Sequence, residues 1–384
     1  MPAKTFFKRY PKLAIILFNL FFLFFIFIVF EILLRIFTPS WLSYTMNYLK
    51  TGNGFGNGSD ANWKVKYKDG KFYSFTPNST FKIFHQEYEN TVHINNLGGR
   101  CTKPNEQADT AKIIPFIGDS FVIGVGVEDT ENMVAQCKNL LNYNFLNLGI
   151  SGTCMPIQRK IVYNRLEELG HPSLVIFGFF LGNDFNDIKN EKLKKSDSNQ
   201  LLKSNSESKG FMWKLNYSIS HNNILKRLYT LQFIKQKILN IKNKNKDKEM
   251  ANWDPIFYMM YTLDSQYINE AKINVDNEVK LLSEEPYKSI VLIIPDKYQI
   301  NDSIRKQKAS YYNIDEKYLD PFLPNQIIIA ALNKYKIKYV DASSCMMDHI
   351  NQGNLYYNQD NHFTKLGQKI FSECVASKLK EIIN

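Results

Sequence analysis

From residue 13 the chain is apolar for about 18 positions, LAIILFNLFFLFFIFIVF, with Asn19 the one polar interruption. That approaches the ~20 residues a helix needs to cross a bilayer. The run exceeds the apolar core of a cleavable signal peptide, and no small-x-small site follows it, so the pattern predicts a retained transmembrane anchor over 13–37. Lys4, Lys8, Arg9 and Lys12 precede it, whereas Glu31 and Arg35 close it. This basic excess predicts residues 1–12 in the cytoplasm and everything past Phe37 outside the cell membrane.

A spacer and lead-in region follows over 38–94, in which TGNGFGNGSD at 51–60 has the composition of a flexible spacer. From about residue 112 short apolar runs alternate with amphipathic ones. KIIPFIG (112–118), NFLNLG (144–149), SLVIFGFFLG (173–182), SIVLIIPD (289–296) and IKYVDAS (337–343) are continuously apolar and rich in Ile, Val and Phe. Such runs suit strands buried on both faces of a parallel sheet. Helices are predicted at Met133 to Leu141, Pro156 to Leu169, Ser265 to Leu282, Gln326 to Lys336 and Leu366 to Ile382. The alternation predicts an α/β fold with a five-stranded, mostly parallel sheet covered on both faces, within a domain at 95–384. A Lys/Asn-rich insertion at about 190–250 breaks the pattern. Its central helix offers Ile224, Leu228, Leu231, Phe233, Ile234 and Ile238 as an apolar face, expected to pack on the domain, with contact to anionic lipid headgroups as the alternative.

Composition narrows the partners. The 384 residues carry a formal charge of +11, with much of the excess in the insertion and outside any nucleic-acid motif. Beyond a membrane, nucleic acid is excluded as a partner on that basis. Five cysteines are too few for a disulfide scaffold and form no C-x-x-C or zinc-like pattern, although an oxidising exterior permits one or two bridges.

The candidate chemistry lies at strand ends. Gly118-Asp119-Ser120 follows the first sheet strand, where Ser120 is placed as a nucleophile or as a helix cap. The second strand delivers NLGISG (147–152), whose glycines bring backbone N–H groups close to a reacting oxygen. The third delivers Gly182-Asn183-Asp184, with a side-chain amide donor. Near the C-terminus DNHFTKLG (360–367) sets an acid two residues before an imidazole. A serine hydroxyl needs a base, and that base needs an acid to orient it. Ser120, His362 and Asp360 fill those roles. His349 is the nearest rival base, and IPDKYQI (294–300) is either a plain strand-to-loop turn or a segment that shapes a substrate site, with Lys297 or Tyr298 as candidates.

These motifs, GDSF at 118–121, Gly152, GND at 182–184 and DNHF at 360–363, resemble in their order the SGNH hydrolases, the GDSL-type esterases. INNLGGR (94–100) looks like the lead-in of membrane-anchored members. The resemblance implies a flavodoxin-like three-layer fold and ester hydrolysis by serine with no metal or other cofactor. It implies Ser120 as nucleophile, His362 as base and Asp360 as its orienter. The oxyanion donors would be the N–H groups of Ser120 and Gly152 and the side chain of Asn183. The D-x-H spacing, shorter than the usual D-x-x-H, is similar to that of members acting on surface polysaccharides. The expected substrate is therefore an acyl ester, an acetyl ester above all, on a cell-surface glycan, with a lipid ester also open. O-acyl transfer by the same triad and a catalytically silent assembly role are the alternatives.

Overall fold

A computed structural model of the chain describes residues 10–39, 42, 46, 64–66, 72–85, 87–103, 106–109, 112–197, 222, 225–244 and 253–384. The run at 51–60, His221, Ile224 and most of the Lys/Asn-rich flanks of the insertion lie outside them. In chain order the elements are α1 (Pro11–Ile36), β1 (Lys64–Lys66), β2 (Phe72–Phe75), β3 (Thr80–Phe84), β4 (Glu89–His93), β5 (Ile114–Ile117), α2 (Ser120–Ile123), α3 (Met133–Leu141), β6 (Phe145–Asn147), α4 (Met155–Tyr163), β7 (Leu174–Phe180) and α5 (Asp184–Asp197). Then come α6 (Tyr229–Lys244), α7 (Pro255–Met260), α8 (Ser265–Ser283), β8 (Lys288–Ile294), α9 (Lys297–Ile300), α10 (Asp302–Tyr312), α11 (Leu323–Lys334), β9 (Lys338–Asp341), α12 (Ser343–Asp348) and α13 (Lys365–Ile383). The chain divides into two compact units, 1–52 with 205–247, and 53–204 with 248–384.

In the first unit α1 is a 26-residue helix, long and apolar enough to cross a membrane. Its last turns carry Glu31, which is ion-paired to Arg35 at 2.7 Å. The Glu31 carboxylate also accepts from the backbone N–H of Tyr229 (3.1 Å) and from the N–H (2.8 Å) and hydroxyl (2.9 Å) of Thr230. It therefore caps the N-terminus of α6, whose orphan donors and positive dipole end favour an anion there. This changes the face that α6 buries. Tyr229, Thr230 and Gln232 are buried and Phe233 packs against Leu34, while Ile234 is exposed. The apolar pattern alone had put Ile234 on the packed face; the polar contact at the helix start turns it outward.

In the second unit five parallel strands form one sheet in the order β6-β5-β7-β8-β9. Counted along the chain this is 2-1-3-4-5, the flavodoxin-like order, which reverses between β5 and β7. The strands are buried on both faces because alternate residues feed two separate cores. Ile117, Val175, Phe177, Val291 and Ile293 pack with α4, α8 and α11. Phe116, Ile176, Leu292 and Val340 pack with α3 and α13. The unit is thus a three-layer α/β domain, preceded by two antiparallel hairpins, β1–β2 and β3–β4.

One predicted helix is shorter than its pattern. α4 ends at Tyr163 rather than continuing to Leu169. Two residues on, the buried Arg165 turns its guanidinium to the Leu97 carbonyl and to Glu168, at 2.8 Å, so its side chain leaves the helical surface pattern.

Candidate active site

The strand order fixes where a site can lie, since in open α/β sheets the crevice forms at the carboxyl ends of the strands where the order reverses. Ser120 follows β5 and Asn183 follows β7, so both stand at that reversal. By contrast, a cavity of about 1090 Å³ at the amino ends, lined by Ile114, Leu174, Lys288 and Lys338, holds none of the candidate residues.

Ser120 opens the short helix α2. Asp119 caps it, its Oδ1 accepting from Phe121 N–H at 2.9 Å. The capping role therefore belongs to Asp119, and the Ser120 hydroxyl makes no hydrogen bond among the described residues. Asn147, at the end of β6, donates to the Val122 carbonyl at 2.8 Å. The turn that follows is held against α2 so tightly that a β-carbon on Gly149 would lie 2.3 Å from the Ile123 nitrogen. The same turn is bonded to the end of β5: Ile150 N–H (2.9 Å) and the Thr153 hydroxyl (3.0 Å) both donate to the Gly118 carbonyl. Gly152 sits between those contacts with φ +73°, and a β-carbon there would meet nothing within 4 Å. Neither the Ser120 nor the Gly152 N–H donates to a protein group among the described residues.

Asn183 stands on the other side of the reversal. Its side-chain oxygen is buried without a hydrogen-bond partner. Asp184 beside it accepts from Phe180 N–H at 3.0 Å with one carboxylate oxygen while the other has none, and one oxygen of Asp119 is likewise orphaned. Burial, aided by mutual repulsion, drives the pKa of Asp184 well above the ordinary carboxylate range. Burial also raises Asp119 to about 6, against the pull of its Phe121 N–H bond and of His362.

The acid and base come from the loop between α12 and α13. Asp360 Oδ1 meets His362 Nδ1 at 2.8 Å, which leaves Nε2 to face a substrate. The His362 ring lies 5.2 Å, centroid to centroid, from Phe121, the residue after Ser120. Ser120 and His362 are not hydrogen-bonded to each other among the described residues. Burial works against ionisation of Asp360, but bonds from His362 and the Tyr88 hydroxyl outweigh it and hold the carboxyl well below its usual range.

Tyr88 belongs to the β3–β4 turn, as does Glu87. The Glu87 carboxylate accepts from the backbone N–H groups of Asn358 (2.9 Å), Gln359 (2.9 Å) and Asp360 (3.0 Å). The turn thereby fixes the acid loop from outside the sheet. Arg100, at the end of the INNLGGR lead-in, is buried and pairs with Asp129 at 2.9 Å while donating to the carbonyls of Ile123 (2.8 Å), Gly124 (2.7 Å) and Val127 (2.7 Å). It fixes the chain that leaves α2.

No family model matches the chain, and no curated protein matches it. Among solved structures it is similar to an α/β hydrolase from the metagenome of Lake Arreo, at 10% identity over 71% of this chain and 97% of that one, with a TM-score of 0.37. It is similar to a member of the lipolytic G-D-S-L family from Veillonella parvula, at 12% identity, 69% and 96% coverage and a TM-score of 0.36. A third is a catalytic mutant of an acetylxylan esterase from Geobacillus stearothermophilus, at 12% identity, 70% and 94% coverage and a TM-score of 0.35.

The rival groups are engaged elsewhere. His349 Nδ1 bonds to the Cys345 carbonyl at 2.7 Å, His93 pairs with Asp129 at 2.5 Å, His85 stacks on Tyr88, and His171 pairs with Glu167 at the surface. Cys345 and Cys374 form a disulfide, and Cys101, Cys137 and Cys154 are free and buried. Burial pushes the first two of those thiols up to about 12 and the third higher still, so none is a ready thiolate. Glu87 and Tyr88 are the site residues that the sequence reading missed. They lie 273 and 272 positions from Asp360 within HQEYEN, and neither residue type nor spacing marks them.

Proposed function

We propose that this chain is a membrane-anchored serine esterase that removes acyl groups, acetyl above all, from a cell-surface glycan. The reading is supported by one observation most of all: the Asp360–His362 pair is assembled beside the turn that carries an uncommitted Ser120 hydroxyl. In this reading Ser120 Oγ attacks the ester carbonyl as His362 Nε2 takes its proton. The oxyanion is held by the N–H groups of Ser120 and Gly152 and by the Asn183 amide. Collapse expels the alcohol with the proton from His362, and water repeats the sequence on the acyl-serine. Asp360 stays ionised and stabilises the imidazolium.

The anchor is α1, with the sheet unit outside the cytoplasm. The Cys345–Cys374 bridge supports that side of the membrane, because disulfides persist in oxidising compartments. The test is hydrolysis of p-nitrophenyl acetate by the full chain in detergent micelles, against Ser120→Ala. We expect kcat to fall by roughly 10⁴-fold or more in the variant. Equal hydrolysis by the variant would remove Ser120 from the chemistry; acyl-enzyme that turns over only when a sugar hydroxyl is supplied would make the reaction a transfer.

A further inference from the structure

Where β8 ends, Asp296 caps α9 through Tyr298 N–H (2.8 Å), and the first helical residue, Lys297, points inward. Lys297 is only 8% exposed. Its ammonium makes no hydrogen bond or ion pair among the described residues, and the Tyr298 ring, 5.4 Å from Nζ, is its near contact. Burial lowers its pKa against the attraction of Asp296, Asp254 and Asp360, none of which makes an ion pair with it among the described residues, so an anion entering beside it would meet an ammonium with no bonded partner.

Lys297 lines a cavity of about 440 Å³ between α9, α10 and the segment leading into Asp360. The second cation there, Lys308, is already paired with Asp254 at 3.1 Å, which leaves Lys297 as the cation of this lining without an ion pair among the described residues. Asn301, Gln307, Asn354 and Asn358 bring amide side chains to the same walls, and Tyr311, 59% exposed, adds an aromatic ring. Amides pair with hydroxyls as donors and acceptors, and an aromatic face covers the apolar side of a ring. One cation with that lining matches a polyhydroxylated ring bearing one negative charge better than a phosphate dianion.

We infer that this cavity binds a carboxylated saccharide, Lys297 taking the carboxylate, and that the ester cleaved at Ser120 is carried by the same sugar chain. The second clause rests on the esterase reading above; the first does not. The cavity adjoins the site, since its wall runs through Asn358 into the loop of Asp360 and His362.

Binding is therefore measured without turnover, by titration calorimetry on the full chain carrying Ser120→Ala in detergent micelles. The probes are trigalacturonate, neutral cellotriose and inorganic phosphate. Trigalacturonate should bind, Lys297→Met should weaken it about tenfold or more, and Lys297→Arg should restore most of the loss. Cellotriose should respond to neither substitution. The inference is overturned if trigalacturonate fails to bind, if Lys297→Met binds it as tightly as the parent, if cellotriose binds equally well, or if phosphate alone shows Lys297-dependent binding. Since the parent carries no serine nucleophile, these outcomes stand apart from any failure of the p-nitrophenyl acetate test.

Discussion

At the scale of single residues, the site divides into groups for the chemistry and groups that aim them. Tyr88 is a positioning residue: its hydroxyl donates to the Asp360 oxygen that His362 does not use. A hydrogen bond to a charged group contributes about 1.5–3 kcal/mol. Tyr88→Phe should accordingly lower kcat for p-nitrophenyl acetate about tenfold while leaving KM near its parent value. A change confined to KM would place Tyr88 against the substrate instead. Ser120, Gly152 and Asn183 were legible as candidates because each sits in a short string at a strand end, and Asp360 and His362 because they share one short string before the last helix, where the local residue types suggest a role. Tyr88 and Glu87 act through a contact made only when the chain closes on itself, so their own neighbourhood holds no trace of it. Asp119 and Asp184 were visible as motif letters, but their orphaned oxygens and raised pKa values come from burial, which no local string encodes.

Among elements, the five strands were legible because a strand buried on both faces must be apolar at every position, and such runs stand out. Helix limits were less so. α4 stops where Arg165 turns to the Leu97 carbonyl, and α6 turns its polar Thr230 inward to meet Glu31, with Gln232 also buried. Both effects come from a buried polar contact overriding periodicity. The pairing of α12 with α13 was also open in the sequence, and there the structure places the Cys345–Cys374 bridge, 29 positions apart. That span contains the whole loop bearing Asp360 and His362. Closing a loop of this length stabilises the fold by about 3–4 kcal/mol through the entropy of the unfolded chain. The double variant Cys345→Ser, Cys374→Ser should thus melt roughly 6–12 °C lower. It should also lose kcat out of proportion to the fraction unfolded, because the loop ends are no longer tied. An unchanged melting temperature would show that the packing of α13 against α3 alone holds the loop.

For the whole molecule, the buried acids set how stability varies with pH. Desolvation raises Asp296 to about 7, outweighing the Tyr298 N–H bond and the attraction of Lys297, and its Oδ2 lies so close to Gly182 that a β-carbon there would be 2.6 Å away. The folded protein then keeps a proton that the unfolded chain releases near pH 4, so folding stability declines as pH rises from about 4 to about 7. Asp119, raised to about 6, acts in the same direction over a narrower window, and Asp184 does so as well. Asp360 acts oppositely: its depressed pKa contributes stability that is full above about pH 4 and is lost only as pH falls below that. The two effects together favour a stability maximum on the acid side of neutrality. Asp296→Asn isolates the first of them, since an asparagine oxygen still accepts from Tyr298 N–H while the titration is gone. Melting of the full chain in detergent micelles at pH 5 and pH 8 should show the parent losing stability across the interval, on the order of 2–4 kcal/mol from Asp296 alone. The variant should be no better than the parent at pH 5 and clearly better at pH 8. Parallel curves for the two proteins across that range would mean that Asp296 stays ionised, with Lys297 as its effective counter-ion, and would remove the unpaired cation on which the saccharide site depends.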